Sequence, residues 1–242
     1  MTADIYSIEA NLADIRLRVE QAASRVGRAP EDVTIVGVSK TFPAEAIRAA
    51  ASLGLRDFGE NRVQEFEGKH PLLDDLDASW HLIGHLQSNK ARRAVQLFGA
   101  VDSLDSLSLG EKLNVICAEL AADHPGRLSV LIEVRLAPED SKTGVLVDDV
   151  PALVEAALEL AHLEIRGFMA IPPFFEDVER VRPYFRRLRE LRDEMRGRFA
   201  PGDSELLREL SMGMSHDFEI AIEEGATQIR VGTALFGSRT KV

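Results

Sequence analysis

The chain alternates between stretches whose apolar residues recur every three or four positions and short runs of β-branched apolar residues. The first pattern is typical of amphipathic helices and the second of buried strands. A helix is predicted over residues 4–26, and the first strand, VTIVGVS, follows it at 33–39. The next helix spans 43–52, with Pro43 in its first turn and Gly54 just beyond its end, the usual signals for a helix start and stop.

The alternation of strand and helix continues to the end of the chain. Seven further strands are predicted at 56–59, 80–84, 100–103, 129–135, 164–169, 207–212 and 228–232. Helices are predicted between them at about 60–68, 88–98, 106–122, 148–162, 176–198 and 215–224. Strands that alternate with helices pair in parallel, and eight such units in roughly 250 residues are typical of a closed barrel.

The predicted fold class is therefore α/β, a single (β/α)8 TIM barrel with an additional N-terminal helix. An open doubly wound sheet is the alternative, but such a sheet usually carries a glycine-rich dinucleotide turn after its first strand. The segment VGVSKTF at 36–42 contains no such turn. We expect one domain over residues 1–242, with a leading helix at 1–28 and the barrel at 33–239.

Composition narrows the classes of partner. The 242 residues are 45% hydrophobic and 29% charged, with a formal net charge of −11, which argues against a broad nucleic-acid surface. The basic run at 180–198 also carries acidic and apolar residues at helical spacing, which favours a solvated helix face. No apolar run is long enough to span a bilayer, and Cys117 is the only cysteine. We expect a cytoplasmic protein with neither a membrane nor a nucleic acid as partner.

Polar residues gather where the predicted strands end. They form the segments SK at 39–40, GEN at 59–61, GHLQSNK at 84–90, SMGMS at 211–215 and RVGT at 230–233. The functional face of a barrel is built at the carboxyl ends of its strands. These segments are therefore the candidate site.

Lys40 ends the first predicted strand. A lysine at this position either extends to solvent or, when partly desolvated, is a neutral amine that forms a Schiff base with a carbonyl. Barrel aldolases and pyridoxal-phosphate proteins both use this chemistry. The sequence near Lys40 does not separate the two.

The last two strand ends favour a phosphate ligand. Ser211 and Gly213 end one strand, Ser215 is expected to cap the helix after it, and Gly232 and Thr233 end the last strand. Backbone N–H groups and hydroxyls at such turns bind phosphate without net positive charge. Plain turn chemistry is the alternative explanation of these residues.

Four other residues carry weaker signals. Arg230, two residues before Gly232, faces the same side of its strand, and either forms a structural ion pair or faces a pyridine nitrogen. Asn61 either contacts a ligand or caps a helix. His81 and His85 flank a strand end, but no third ligand at suitable spacing indicates a metal site.

Taken together, the motifs resemble those of a known family. The segments VSKT, FGENRVQE, WHLIGHLQSNK, EDSKTG, RGFMAIPP and LSMGMSHDFEIAIEEGATQIRVGTALFG are similar to those of the pyridoxal phosphate homeostasis proteins, over about 33–239. The resemblance implies a barrel related to the N-terminal domain of alanine racemase. It also implies that pyridoxal 5'-phosphate (PLP) is held as an internal aldimine, in a protein that buffers the cofactor for PLP-dependent apoenzymes.

The resemblance also implies roles for single residues. Lys40 would be the Schiff-base lysine, and Asn61 would lie beside the cofactor. Ser211, Gly232 and Thr233 would hold the phosphate, with Gly213 in the same turn, while Arg230 would face the ring nitrogen. One departure is Arg135, where the family carries asparagine, and no role is assigned to it or to Lys142.

A PLP-dependent amino-acid racemase is the main alternative function. Alanine racemase draws a second acid/base, a tyrosine, from an additional domain that this chain is expected to lack. The tyrosines here, Tyr6 and Tyr184, lie in predicted helices away from the strand ends. A Schiff-base aldolase is a weaker alternative, since it has no use for a phosphate cup unless its substrate is phosphorylated. We expect a monomeric, non-catalytic PLP carrier.

Overall fold

The computed structural model describes residues 5–122, 126–137, 143–202 and 205–237. In these ranges eight parallel strands close into a barrel in the order β4-β3-β2-β1-β9-β8-β7-β5, and pairing of β4 with β5 completes the ring. The strands are β1 (Thr34–Val38), β2 (Asp57–Glu60), β3 (Ser79–Leu82), β4 (Ala100–Leu104), β5 (Leu128–Arg135), β6 (Val145–Leu146), β7 (Leu163–Met169), β8 (Glu209–Met214) and β9 (Gln228–Val231). β6 lies outside the ring and pairs only with the end of β5. The predicted barrel is confirmed.

Helices surround the strands. They are α1 (Ile5–Arg25), α2 (Ala44–Ser52), α3 (Val63–Lys69), α4 (Ala91–Leu97), α5 (Leu107–Glu119), α6 (Val150–Leu158), α7 (Arg182–Phe199), α8 (Phe218–Glu223) and α9 (Thr233–Phe236). The apolar side chains between helices and strands form the main core. No helix of the described ranges is long and apolar enough to cross a membrane.

The leading helix α1 belongs to the helix layer. It packs against α2, α8 and α9, and Asn11 donates to the carbonyl of Leu235 at 2.9 Å. Arg18 and Arg25 on α1 form ion pairs with Glu219 and Glu223 on α8, each at 2.7 Å. Because α9 is a single turn, α1 occupies the space that a full helix after the last strand would fill.

The basic run at 180–198 is an amphipathic helix, as its spacing predicts. Its apolar residues Phe185, Leu188, Leu191 and Met195 are buried. Arg186 and Arg189 each contact the buried carboxylate of Glu224 at 2.9 Å. Part of its basic face is therefore used to attach α7 to the end of α8.

Several predicted boundaries and two short elements differ from the structure. The predicted helices at 60–68 and 215–224 begin later, at Val63 and Phe218, since Glu60 still belongs to β2 and Met214 to β8. The helix predicted at 176–198 begins at Arg182, after a 3-10 turn over Val178–Val181. The sequence pattern did not predict β6 or α9, because two and four residues are too few for a period to show.

Side chains alternate between the helix layer and the interior of the barrel. Phe58 on β2 and Trp80 on β3 face outward, where the ring of Trp80 lies 4.7 Å from the ring of Phe66 of α3 in a tilted arrangement. Asp57, Gly59, His81 and Ile83 therefore face inward. The interior is unusually polar for a barrel, whose inner layers are normally branched apolar residues, and its buried polar side chains include His81, Asp102, Ser211, Gln228 and Arg230.

Candidate functional site

Lys40 follows the carboxyl end of β1, as predicted, and is partly buried. Register places its neighbours: Gly37 pairs with Val231 on β9, and Val38 pairs with Gly59 on β2. A Cβ atom placed on Gly232 would lie 3.5 Å from the Cβ of Val38. The structure therefore brings the segment with Lys40 together with the predicted Gly232–Thr233 turn on one side and Asn61 on the other.

Arg230 lies inside the barrel and is 3% exposed. Its Nη1 donates to Ser211 Oγ at 2.8 Å and its Nη2 donates to the carbonyl of Ala170 at 2.9 Å. Burial lowers the pKa of Arg230, while the carboxylates of Asp102, Asp217 and Glu133 raise it. A guanidinium keeps its charge even so, and these two bonds fix its orientation.

Ser215 brings a second hydroxyl to the Gly232–Thr233 turn, in addition to that of Thr233. Its Oγ accepts hydrogen bonds from the N–H groups of Gly232 and Ala234, both at 3.2 Å. The expectation that Ser215 caps the following helix is wrong, because the N-cap residue of α8 is Asp217. Ser211 is fully buried against Arg230 rather than at the turn. Ser215 was therefore predicted to be in the site, but its partners are the N–H groups after β9 and not the start of α8.

Gly213 lies in the irregular end of β8. Its φ of 89° is in the left-handed region, and an added Cβ would approach the Cα of Phe218 to 2.9 Å. Only glycine fits such a position without strain. Asp217 holds the same bend, because its Oδ1 accepts from the N–H of Met214 at 2.7 Å, and burial raises the pKa of Asp217. Gly213 shapes the turn that carries Ser215.

Asn61 follows β2 and lies against the next strand end. A Cβ on Gly84 would lie only 2.4 Å from the backbone oxygen of Asn61. Both residues line an open cavity of about 880 Å³, together with Arg62, His85 and Lys90. Asn61 does not cap α3, whose N-cap residue is Arg62, so the ligand-contact interpretation is the one that stays open.

Glu133 is a buried carboxyl that sequence analysis did not single out. It accepts a hydrogen bond from Thr143 Oγ1 at 3.0 Å. Burial raises its pKa, to which Asp105 adds, while His85 and Arg230 lower it. The nearby Arg135 has a buried Nε without a hydrogen-bond partner, and Lys142 lies outside the described residues.

His81 faces the interior of the barrel and lies between two carboxylates. Its Nδ1 lies 3.2 Å from Asp102 and its Nε2 lies 3.4 Å from Asp57. Burial alone would lower the pKa of His81, but the two carboxylates outweigh burial and raise it to about 10. In the described ranges no three histidine, cysteine or acidic side chains form a group suited to a metal ion.

The donor set at this edge suits PLP. A lysine amine can bond reversibly to an aldehyde, backbone N–H groups and hydroxyls can bind a phosphate, and a guanidinium can face a pyridine nitrogen. Lys40, the Ser215–Gly232–Thr233 turn and Arg230 supply these groups on β1, β8 and β9. The fit rests on that combination at neighbouring strand ends.

Barrel and site together define the alanine racemase class of fold. The family model described as alanine racemase, N-terminal domain, matches residues 10–240, so the chain belongs to this family. Among its relatives, the Pyridoxal phosphate homeostasis protein of Aquifex aeolicus is 44% identical over 228 residues, covering 94% of this chain and 96% of that protein. The family predicted from the motifs is confirmed.

Solved structures agree with this assignment. The chain is 41% identical to PipY of Synechococcus elongatus PCC7942 with PLP bound, at a TM-score of 0.79, covering 91% of this chain and 100% of PipY. Alanine racemase of Clostridium difficile 630 shares the fold at 13% identity and a TM-score of 0.69. The match covers 97% of this chain but 57% of that racemase.

Proposed function

We propose that this protein binds PLP through a reversible covalent bond at Lys40 Nζ and serves in cellular PLP homeostasis. The observation that carries the proposal is that Lys40, Arg230 and the Gly232–Thr233 turn lie together on adjacent strands β1 and β9. The bound PLP of PipY supports the choice of cofactor. The cofactor supplies an aldehyde for the lysine and a phosphate for the turn.

The residues divide the work of binding. Lys40 provides the amine, which attacks a carbonyl in its neutral form. The N–H groups of the turn, Ser215 and Thr233 hold the phosphate. Arg230 faces the pyridine nitrogen and, because it does not give up a proton, leaves that nitrogen unprotonated. Asn61 contacts the cofactor from β2.

Arg230 also favours a carrier over an enzyme. An unprotonated pyridine is a weaker electron sink, so the site retains PLP without strongly activating an amino acid bound to it. PLP would be released when a lysine amine of the recipient apoenzyme replaces the amine of Lys40 in the covalent bond to the cofactor. We propose a non-catalytic, monomeric carrier in the cytoplasm.

The proposal is tested by borohydride reduction of the protein with PLP, followed by peptide mapping. We expect stable labelling at Lys40 and a visible absorbance that the Lys40→Ala variant loses. Full labelling of Lys40→Ala at another lysine would refute the assignment. In a second arm, the protein is incubated with L-alanine and PLP, and the product is resolved by chiral chromatography. Turnover above that of free PLP would favour the racemase.

A further inference from the structure

A buried ion cluster lies directly behind the segment that carries Lys40. Lys69, at the end of α3, donates from Nζ to the carbonyl of Ser39 at 3.0 Å and to Glu60 Oε1 at 2.9 Å. It also lies 2.8 Å from Glu65 Oε1. We call Lys69, Glu60 and Glu65 the Lys69 cluster. Its contact with Ser39 reaches the residue immediately before Lys40.

The cluster also contacts the residue immediately after Lys40. Glu65 Oε1 accepts a hydrogen bond from the N–H of Thr41 at 2.5 Å. Thr41 has a φ of 68°, a left-handed conformation that is strained for a β-branched residue. The bond to Glu65 helps to offset this strain. The two peptide groups that flank the Cα of Lys40 are thus both hydrogen-bonded to one cluster.

Charge makes Lys69 the centre of this arrangement. Glu60 is fully buried, and its Oε1 also accepts from Ser39 Oγ at 2.8 Å, while its Oε2 has no hydrogen-bond partner. Burial raises the pKa of Glu60, and the ammonium of Lys69 opposes that rise. Without Lys69 two carboxylates would face each other behind β1, because the cation lies between them. The carbonyl of Ser39 would lose its charged donor at the same time.

We propose that Lys69 is a positioning residue for the cofactor lysine. It fixes the main chain of residues 39–41, so that Lys40 is held in one place before PLP arrives. The expected effect on PLP binding rests on the proposed function. The hydrogen bonds from the Lys69 cluster to residues 39–41 are, however, present in the cofactor-free protein. Lys69 acts through the main chain. Its effect is exerted through Ser39 directly and through Glu65 on Thr41.

The test compares the wild type with Lys69→Met, which keeps an unbranched side chain one atom shorter and removes the charge. Hydrogen exchange of the peptide covering residues 36–42, measured without cofactor, is expected to accelerate. Because charged hydrogen bonds are worth about 1.5–3 kcal/mol, PLP affinity from visible absorbance is expected to fall roughly tenfold or more. Lys69→Arg retains the cation and should recover most of that affinity and of the exchange protection.

Two further variants keep the test decisive. Arg93→Met deletes a comparable cation that pairs with Glu67 on the exposed face of α3 at 2.8 Å, and neither readout should change. If Lys69→Met does not fold, Glu65→Ala removes the acceptor of Thr41 from the partly exposed side of the cluster and should give the same two changes.

The outcomes separate the inference from the proposed function. If borohydride does not label the wild-type protein at Lys40, the proposed function is contradicted. The hydrogen-exchange measurement still decides whether the Lys69 cluster holds residues 39–41 in place. Wild-type protein that is labelled, with unchanged PLP affinity in the folded Lys69→Met or Glu65→Ala variant, overturns the positioning role. If Lys69→Arg does not recover PLP affinity, the positioning role is also contradicted. The packing of the Lys69 side chain, and not its charge, would then explain the loss of affinity in Lys69→Met.

Discussion

At the scale of single residues, two serines four positions apart have different partners. Ser211 Oγ accepts from Arg230 inside the barrel, and Ser215 Oγ accepts from the N–H groups of Gly232 and Ala234. The motif LSMGMS predicted hydroxyls at this strand end. The family resemblance implied that the hydroxyl of Ser211, rather than that of Ser215, holds the phosphate. The pairing of β8 with β9 shifts register between Ser211 and Met214. Strict strand alternation therefore does not extend to Ser215.

This difference leads to a prediction about phosphate recognition. Ser215→Ala removes the hydroxyl from the turn, so we expect affinity for PLP to fall more than affinity for pyridoxal, which lacks the phosphate. Ser211→Ala instead leaves a buried N–H of Arg230 unpaired, at a cost of about 1–3 kcal/mol in unfolding free energy, with the PLP-to-pyridoxal ratio unchanged. Titrations with both ligands measure the ratio. A ratio that falls only in Ser211→Ala would restore the original assignment.

At the scale of elements, the alternation of strand and helix was sufficient to predict the barrel and its eight strand positions. Boundaries were less predictable where tertiary contacts decide them. Glu60 continues β2, where Ser39 and Lys69 donate to its buried Oε1, whereas its sequence context suited the first turn of a helix. Lys69 itself looked like an ordinary basic residue at a helix end. Its contact with Ser39 depends on the packing of α3 over β1 and β2, which no local pattern shows.

The contact between two neighbouring strand ends gives a prediction at this scale. In Gly84→Ala the new Cβ would meet the backbone oxygen of Asn61, 2.4 Å from its ideal position, so the segments after β2 and β3 must separate. We expect a loss of roughly 1–3 kcal/mol in unfolding free energy, as for other overpacked sites, and weaker PLP binding because Asn61 moves. Denaturant titration and PLP titration measure the two effects.

Gly99→Ala is the matched control for Gly84→Ala. Gly99 precedes the amino end of β4, at the opposite end of the barrel from Asn61, and a Cβ there meets no atom within 4 Å. Its substitution should leave both measurements unchanged. Equal behaviour of the two variants would show that the approach of Gly84 to Asn61 does not constrain the site.

At the scale of the whole molecule, the barrel interior carries a chain of charges. Arg230 lies below the carboxyl ends of the strands, where we propose that PLP binds. His81 lies between Asp102 and Asp57, nearer the amino ends of the strands. Glu209 completes this lower layer, with Arg166 donating to it at 3.1 Å. Burial raises the pKa of Glu209. The interior is held together by ion pairs as well as by apolar packing, so its stability should depend on pH.

His81 sets the direction of that dependence. Its pKa is raised from 6.5 to about 10 in the folded protein, so its contribution to stability is fully present below pH 6.5 and is lost as pH rises through 10. Between pH 7 and 8.5 the folded protein keeps a proton that the unfolded chain releases. The unfolding free energy should therefore fall by about 1.4 kcal/mol per pH unit, a slope that His81→Gln lacks.

Denaturant titrations at several pH values measure the slope. The buried thiol of Cys117, whose pKa burial raises, is present in both proteins and therefore cancels from the comparison. His81→Gln removes the cation that contacts the buried carboxylate of Asp102, which destabilises the fold and can prevent this variant from folding. NMR of the wild-type imidazole at pH 8 is independent of that risk. A neutral His81 at pH 8, or parallel slopes in the two proteins, would show that the interior charges are not arranged around a protonated histidine.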